Sequence, residues 1–243
     1  MVENKLYFIT PSYNASNHLT GLYESLLEQT NKKWNWIILN DKSKDDTYNV
    51  AKDIQSKDIH NRISVINHLD KKYALKGIYE SLNILKNTED VSKTIIAVID
   101  GDDSLCNENT VDLVLKNYKN SNLDALWTAH SWDINGKNIS KELPGNVNPY
   151  QYPWVSSHLK TFKLETFLKI NPDNFKDLDG NWFKRGYDQA LYLPILHLAK
   201  ERKFINEICY LYRIKSDSLK VREEVEREQL NTVKLVRSRG YIK

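Results

Sequence analysis

No apolar run in this chain approaches the roughly 20 residues that span a bilayer as a helix, so no transmembrane segment is expected. Cysteine is scarce. Cys106 and Cys209 stand far apart, without metal-type spacing, which excludes a disulfide framework and fits a reducing compartment. With 8 Gly and 6 Pro in 243 residues, no collagenous or Gly-rich linker exists. Nor does Met1 precede a leader-like apolar segment, since the chain enters a short strand-like run at Leu6. These absences point to a cytoplasmic protein, at most peripheral at a membrane surface. One-sided charge is missing too. Lys and Arg total 35 against 32 Asp and Glu, and the excess lies after residue 219, leaving 28 of each sign in residues 1–219. That balance disfavours an extended nucleic-acid-binding face. Only the last ten residues, Lys234 to Lys243, hold four basic side chains and no acid. Such a tail is either a solvated helix end or a peripheral contact for anionic lipid or nucleic acid.

What is present is an ordinary globular composition, 40% hydrophobic and 28% charged, in a length suited to one sizeable α/β domain or two small ones. The most informative segment is Ile95-Ile96-Ala97-Val98-Ile99 followed by Asp100-Gly101-Asp102-Asp103. A short β-branched run bounded by turn residues predicts a buried strand. The acids then sit at its carboxyl end, where open α/β sheets bind ligands. Two carboxylates one residue apart suit Mg²⁺ or Mn²⁺ shared with a substrate diphosphate. A solvated acidic turn would also present this pattern.

Strands are expected at Leu6–Ile9, Trp34–Leu39, Ile63–Ile66 and Ile95–Ile99, with helical spacing between them: Leu19, Leu22, Leu26; a helix begun by Asp45 or Asp46; then Leu75, Ile78, Leu82, Leu85. Repeated strand–helix units predict a doubly wound parallel sheet. Its post-strand loops, Thr10–Asn14, Asn40–Ser43 and Asp100–Ser104, should gather along one edge. The second half is less regular. It offers a strand at Ala125–Ala129, a candidate strand at Trp154–Phe162, a helix at Leu164–Ile170 and long loops around residues 144–149 and 171–186. A helix is expected from Asp188, kinked or delayed by Pro194, then extended chain over Phe204–Ile214 and a helical tail.

Three segments in this order, Thr10-Pro11-Ser12-Tyr13-Asn14, Leu39-Asn40-Asp41-Lys42-Ser43 and Val98-Ile99-Asp100-Gly101-Asp102-Asp103, resemble the family 2 glycosyltransferases. The likeness is strong over residues 4–105 and looser to about residue 219. It implies an α/β domain of GT-A type, Rossmann-like, with a mixed, mostly parallel central sheet and helices on both faces. Residues 1–105 would form the nucleotide-sugar-binding half and 106–219 the acceptor-binding, catalytic half, with 220–243 a basic helical tail. The resemblance further implies an inverting transfer from a nucleotide-diphosphate sugar, commonly a UDP-sugar, assisted by Mn²⁺ or Mg²⁺. Pro11 and Tyr13 would lie against the base, with Asp41 hydrogen-bonded to it. Asp100, with Gly101, would sit near ribose and metal, and Asp102 would ligate the metal. A stretch around His158 resembles one found in some bacterial and viral members, where His158 would contact the diphosphate or metal. Asp188 would be the general base, although Tyr187 stands where members usually carry Glu. Arg213 matches a late Tyr-Arg pair, and Lys215 replaces a His that can complete the metal shell; as a cation it would meet phosphate instead.

The residue chemistry agrees in part. Tyr13 can stack on uracil and Asp41 can accept its N–H, while loop packing and turn formation are the ordinary uses of these residues. Asp188 as a helix N-cap is the ordinary alternative to a base. Trp182, just before the base, is a candidate platform for the acceptor, as well as a candidate core residue. The acceptor itself stays open among a glycan, a glycolipid, a protein side chain and a modified nucleobase. Two rival readings are a nucleotidyltransferase, disfavoured because Thr10–Asn14 has no phosphate-loop Gly, and a degenerate, non-catalytic binding protein.

Overall fold

The computed structural model describes residues 3–119, 122–214 and 219–243, the last segment with side chains from residue 223 onward. Four strands alternate with helices in the first half: β1 (Lys5–Ser12), α1 (Leu19–Leu27), β2 (Trp34–Asn40), α2 (Thr47–Lys57), β3 (Ile63–Asn67), α3 (Tyr73–Thr88) and β4 (Thr94–Val98). They form a parallel set in the order β3-β2-β1-β4, as the repeated strand–helix pattern predicts. The order reverses between β1 and β4, which opens a crevice at their carboxyl ends.

The second half adds β5 (Ser104–Leu105), α4 (Thr110–Lys119), β6 (Ala125–Trp132), β7 (Lys160–Lys163), α5 (Leu164–Phe167), α6 (Tyr187–Leu198), β8 (Arg202–Tyr212) and α7 (Leu219–Arg239). Strands of both halves share one eight-stranded sheet, β3-β2-β1-β4-β7-β6-β8-β5. It is mixed: β7 runs antiparallel to β4 and β6, β6 and β8 are parallel, and β5 is antiparallel to β8.

The sheet's two faces carry separate cores, because successive strand residues point to opposite sides. Leu6 and Phe8 of β1 pack with Leu19, Leu22 and Leu26 of α1 and Val111 and Val114 of α4. Ile9 packs on the other side with Leu75, Ile78 and Leu82 of α3 and Leu191, Ile195 and Val236 of α6 and α7.

Three expectations change. Trp154–Phe162 is not one strand, because pairing with β4 begins only at Lys160. The helix expected over Leu164–Ile170 is a single turn, Leu164–Phe167. Pro194 neither delays nor ends α6, which runs from Tyr187 to Leu198 around it. Proline removes one backbone hydrogen bond, but Ala190 through Leu196 are all buried, and that packing holds the helix.

Candidate active site

Strand register concentrates the polar residues at one edge. Val98, the last residue of β4, pairs with Lys160, the first of the antiparallel β7. The segment entering β7, with His158, therefore lies beside the acidic loop that leaves β4. Strand β8 closes the arrangement, pairing Tyr210 with His130 of β6 and Leu211 with Ser104 just after the acids.

Gly101 sits close against β1. A Cβ there would lie 2.6 Å from Ser12 Oγ and 3.3 Å from the Pro11 carbonyl, so any other residue would force the buried Ser12 hydroxyl to move. Asp103 is turned inward. Its carboxylate accepts from Tyr210 Oη (2.6 Å) and from the Arg213 backbone N–H (2.8 Å), while the Asp100 N–H donates to the same tyrosine oxygen (3.1 Å). Tyr187 donates its hydroxyl to Asp100 Oδ1. Tyr187, at the position where the resemblance implies Glu, thus ties the first turn of α6 to the acidic loop.

Asp188 lies in that first turn, after Gly186 as N-cap, so it is not the cap itself. Its Oδ1 pairs with Lys160 Nζ, which is 1% exposed and also lies 3.2 Å from His158 Nδ1. Burial would raise the Asp188 pKa, but the charge and hydrogen bond of Lys160 outweigh it and hold the carboxyl below its ordinary value. Asp100 is driven the other way, up to about 7, by burial and by the charges of Asp188 and Asp102. Asp103 is pushed up to about 8, by burial and then by Asp100 and Asp102. Asp100, Asp102, Asp103 and Asp188 thus outnumber the one buried lysine among them, and their crowding favours protonation of Asp100 and Asp103 where no further cation is present.

That imbalance is the test for a divalent ion. Among the described residues, no three or more His, Cys, Asp or Glu side chains are grouped to hold a metal. Asp100 and Asp102 offer hard oxygen donors from one loop, and a Mg²⁺-type ion is commonly held by one or two carboxylates, with water and substrate phosphates completing its shell. The donor set fits an ion that arrives with a diphosphate.

The other expected residues take varied places. Pro11 is in the last turn of pairing of β1, opposite Leu39. Tyr13 is 41% exposed, with Lys71 Nζ 2.8 Å from its ring centroid. Its loop is stitched to the loop after β2 by Asn14 N–H to Ser43 Oγ (3.1 Å) and Lys44 N–H to Asn14 Oδ1 (2.8 Å). Asp41 is buried and accepts from the backbone N–H groups of Lys72 (2.6 Å) and Tyr73 (3.0 Å) as α3 begins, with His68 Nδ1 at 3.7 Å. Burial opposes its charge, yet His68, the two amides and Lys71 leave its pKa lowered, so it stays an acceptor with lone pairs to spare. His158 is stacked on Tyr210 (4.5 Å between centroids) and Tyr212 (5.2 Å), and burial together with Lys160 keeps it neutral. Trp182 is partly buried against Tyr79 (4.8 Å) and Phe175 (6.2 Å), and does not line the cavity beside Asp188. Arg213 meets Asp103 through its backbone, and Lys215 lies outside the described residues.

Sequence reasoning missed Lys160 and gave Tyr187 no role. A signal for Lys160 existed: a lysine set between the apolar Leu159 and Phe162 needs a partner if the segment is buried. The basic tail also differs from a simple exposed patch. Arg237 binds Gln189 Oε1 (2.6 Å) and the carbonyls of Tyr150 (3.0 Å) and Tyr152 (2.8 Å), and Arg239 binds those of Lys176 (2.7 Å) and Asn174 (3.0 Å). Both guanidiniums dock α7 on the domain. No helix among the described residues is long and apolar enough to cross a membrane.

Comparison with known proteins agrees with this architecture. The chain is 24% identical over 235 residues to glycosyltransferase GlyA of Streptococcus pneumoniae serotype 4 (strain ATCC BAA-334 / TIGR4), covering 90% of this chain but 32% of that protein. It is 23% identical over 224 residues to GlyG of the same strain, covering 87% and 71%. The chain thus spans about a third of GlyA. Among solved structures, S. aureus TarS 1–349 in complex with UDP-GlcNAc superposes with a TM-score of 0.67 at 16% identity, over 88% of this chain and 60% of that one. The mannosyltransferase PcManGT from Pyrobaculum calidifontis, in complex with GDP-Man and Mn²⁺, gives 0.70 at 12% identity, over 100% and 66%. Both likenesses establish the GT-A fold. Residues 7–189 match the family model for glycosyl transferase family 2, and the chain belongs to that family.

Proposed function

We propose that this domain is an inverting glycosyltransferase that moves a sugar from a nucleoside-diphosphate sugar, with UDP as the carrier, to an acceptor hydroxyl. Family membership supports the reaction class. The observation that carries the assignment of roles is the pairing of a crowded acidic loop with a Lys160-bound Asp188, tied together by Tyr187 and Asp100.

In this reading Tyr13 stacks on the base and Asp41 accepts its imide N–H. Asp100 and Asp102 would hold a divalent ion, which would supply Lewis-acid neutralisation of a diphosphate. Gly101 lets their loop approach β1, and Asp103, fixed by Tyr210 and Arg213, sets its shape. Asp188 accepts the proton of the acceptor hydroxyl as that oxygen bonds to the anomeric carbon. The bond from that carbon to the diphosphate oxygen breaks, and its electron pair leaves with the nucleotide. Attack from the face opposite the leaving group inverts the centre. Lys160 keeps Asp188 ionised and aims its carboxylate.

Calorimetric titration of UDP, GDP and their sugars, with and without Mn²⁺, tests the donor side. Proton NMR of the product's anomeric coupling tests inversion. Mn²⁺-promoted binding of UDP and an inverted product are expected. Absence of binding by every nucleotide, with and without the ion, would overturn the proposal.

A further inference from the structure

Beside Asp188 lies a cavity of about 170 Å³. Trp132, Trp154 and Tyr212 contribute aromatic surface, Gln189 and Gln229 contribute amides, and Asp188 closes one side. Part of the wall is built by the last helix. Gln229 and Val233, one turn apart on α7, both face it. Gly186 permits that approach: its φ is +65°, and a Cβ there would lie 3.1 Å from the Gln229 carbonyl and 3.3 Å from Thr232.

The lining is preorganised. The Trp132 indole N–H donates to His130 Nε2 (3.2 Å), and His130 Nδ1 lies 3.1 Å from Ser140 Oγ. This fixes His130 as the neutral tautomer with its proton on Nδ1 and locks the Trp132 ring. Trp132 also packs on Tyr212, and exposed Lys137 lies 4.6 Å over its ring. Gln189 gives its oxygen to Arg237, so its amide nitrogen is the donor it offers a ligand.

We propose that this cavity is the acceptor subsite and that it takes one sugar ring, the terminal residue of a glycan. This inference rests on the glycosyl-transfer reading and names its acceptor. The cavity is of a size to seat a single sugar ring. Aromatic surface suits the C–H faces of a sugar, and amides with a carboxylate suit its hydroxyls. Among the described residues, no Lys or Arg lines the cavity.

Saturation-transfer NMR on the full chain with UDP and Mn²⁺ tests the assignment. The probes are the methyl glycosides of glucose, galactose, N-acetylglucosamine and rhamnose, with glycerol 3-phosphate and a serine peptide as the other acceptor chemistries. At least one glycoside should show transfer, and Gln229→Trp, which fills the cavity from an exposed helix position, should cut that signal at least about fivefold. Gln229→Ala should retain more of it than Gln229→Trp. UDP binding with no glycoside signal, or a glycoside signal untouched by Gln229→Trp, would overturn the acceptor proposal alone. If no nucleotide binds either, the glycosyl-transfer reading falls with it.

Discussion

The buried ammonium of Lys160 is ion-paired with Asp188 and lies 3.2 Å from the His158 ring nitrogen. One cation thus holds the proposed base on one side and a neutral imidazole on the other. Removing one partner of such a pair leaves an uncompensated buried charge, so the relationship has chemical consequences that can be measured.

Lys160→Met should move the acid limb of the pH–rate profile. Lys160 lowers the Asp188 pKa, so its loss raises that pKa, and the carboxylate needed as base forms only at higher pH. We expect the acid-side midpoint of kcat to rise by about one pH unit or more, with activity partly recovered on the alkaline side. A uniform fall at every pH would assign Lys160 to folding alone.

Asp188→Asn should leave nucleotide affinity within about twofold while kcat falls at least about 100-fold, the loss typical of removing a general base. Calorimetry and single-turnover kinetics separate the two. Undiminished turnover would remove Asp188 from catalysis.

Asp102→Ala should abolish the difference between nucleotide binding with and without Mn²⁺. The remaining Asp100 is held by Tyr187 and would offer the ion one protein carboxylate. Titration of UDP under both conditions is the check, and a preserved Mn²⁺ effect would remove Asp102 from the ion's ligands.

Gly186→Ala should destabilise the fold by about 1–2 kcal/mol from left-handed backbone geometry alone, and more from the 3.1 Å contact with the carbonyl of Gln229. Because that contact seats α7 beside Asp188, transfer to acceptor should fall further than nucleotide binding does. Thermal denaturation and acceptor KM report the two effects. An unchanged melting temperature would show that α7 is not seated through Gly186.

The first half of the fold was legible because its signals are local. Apolar runs bounded by turns, with helical spacing between them, place β1 through β4 and put Pro11, Tyr13, Asp41 and Asp100 at one edge. Helix α6 was legible too, and it starts without the delay that Pro194 could have imposed, because burial of Ala190 through Leu196 outweighs one missing hydrogen bond. The bounds of the short strand β7 were not: a strand was expected over Trp154–Phe162, but only Lys160–Lys163 pairs with β4 and β6.

Sequence by itself determined the parallel β3-β2-β1-β4 half, the acidic loop after a buried strand, and an Asp at the start of a helix, because each depends on neighbours a few residues apart. Only the tertiary structure decided what those residues touch. Asp103 faces inward to Tyr210, 107 residues away, Tyr187 reaches Asp100 across 87, and Lys160 reaches Asp188 across 28. Trp182 joins an aromatic cluster, and the basic tail turns Arg237 and Arg239 onto the domain's own carbonyls. Such contacts are set by strand register and helix docking, which satisfy buried charges with whatever partner the fold brings within reach.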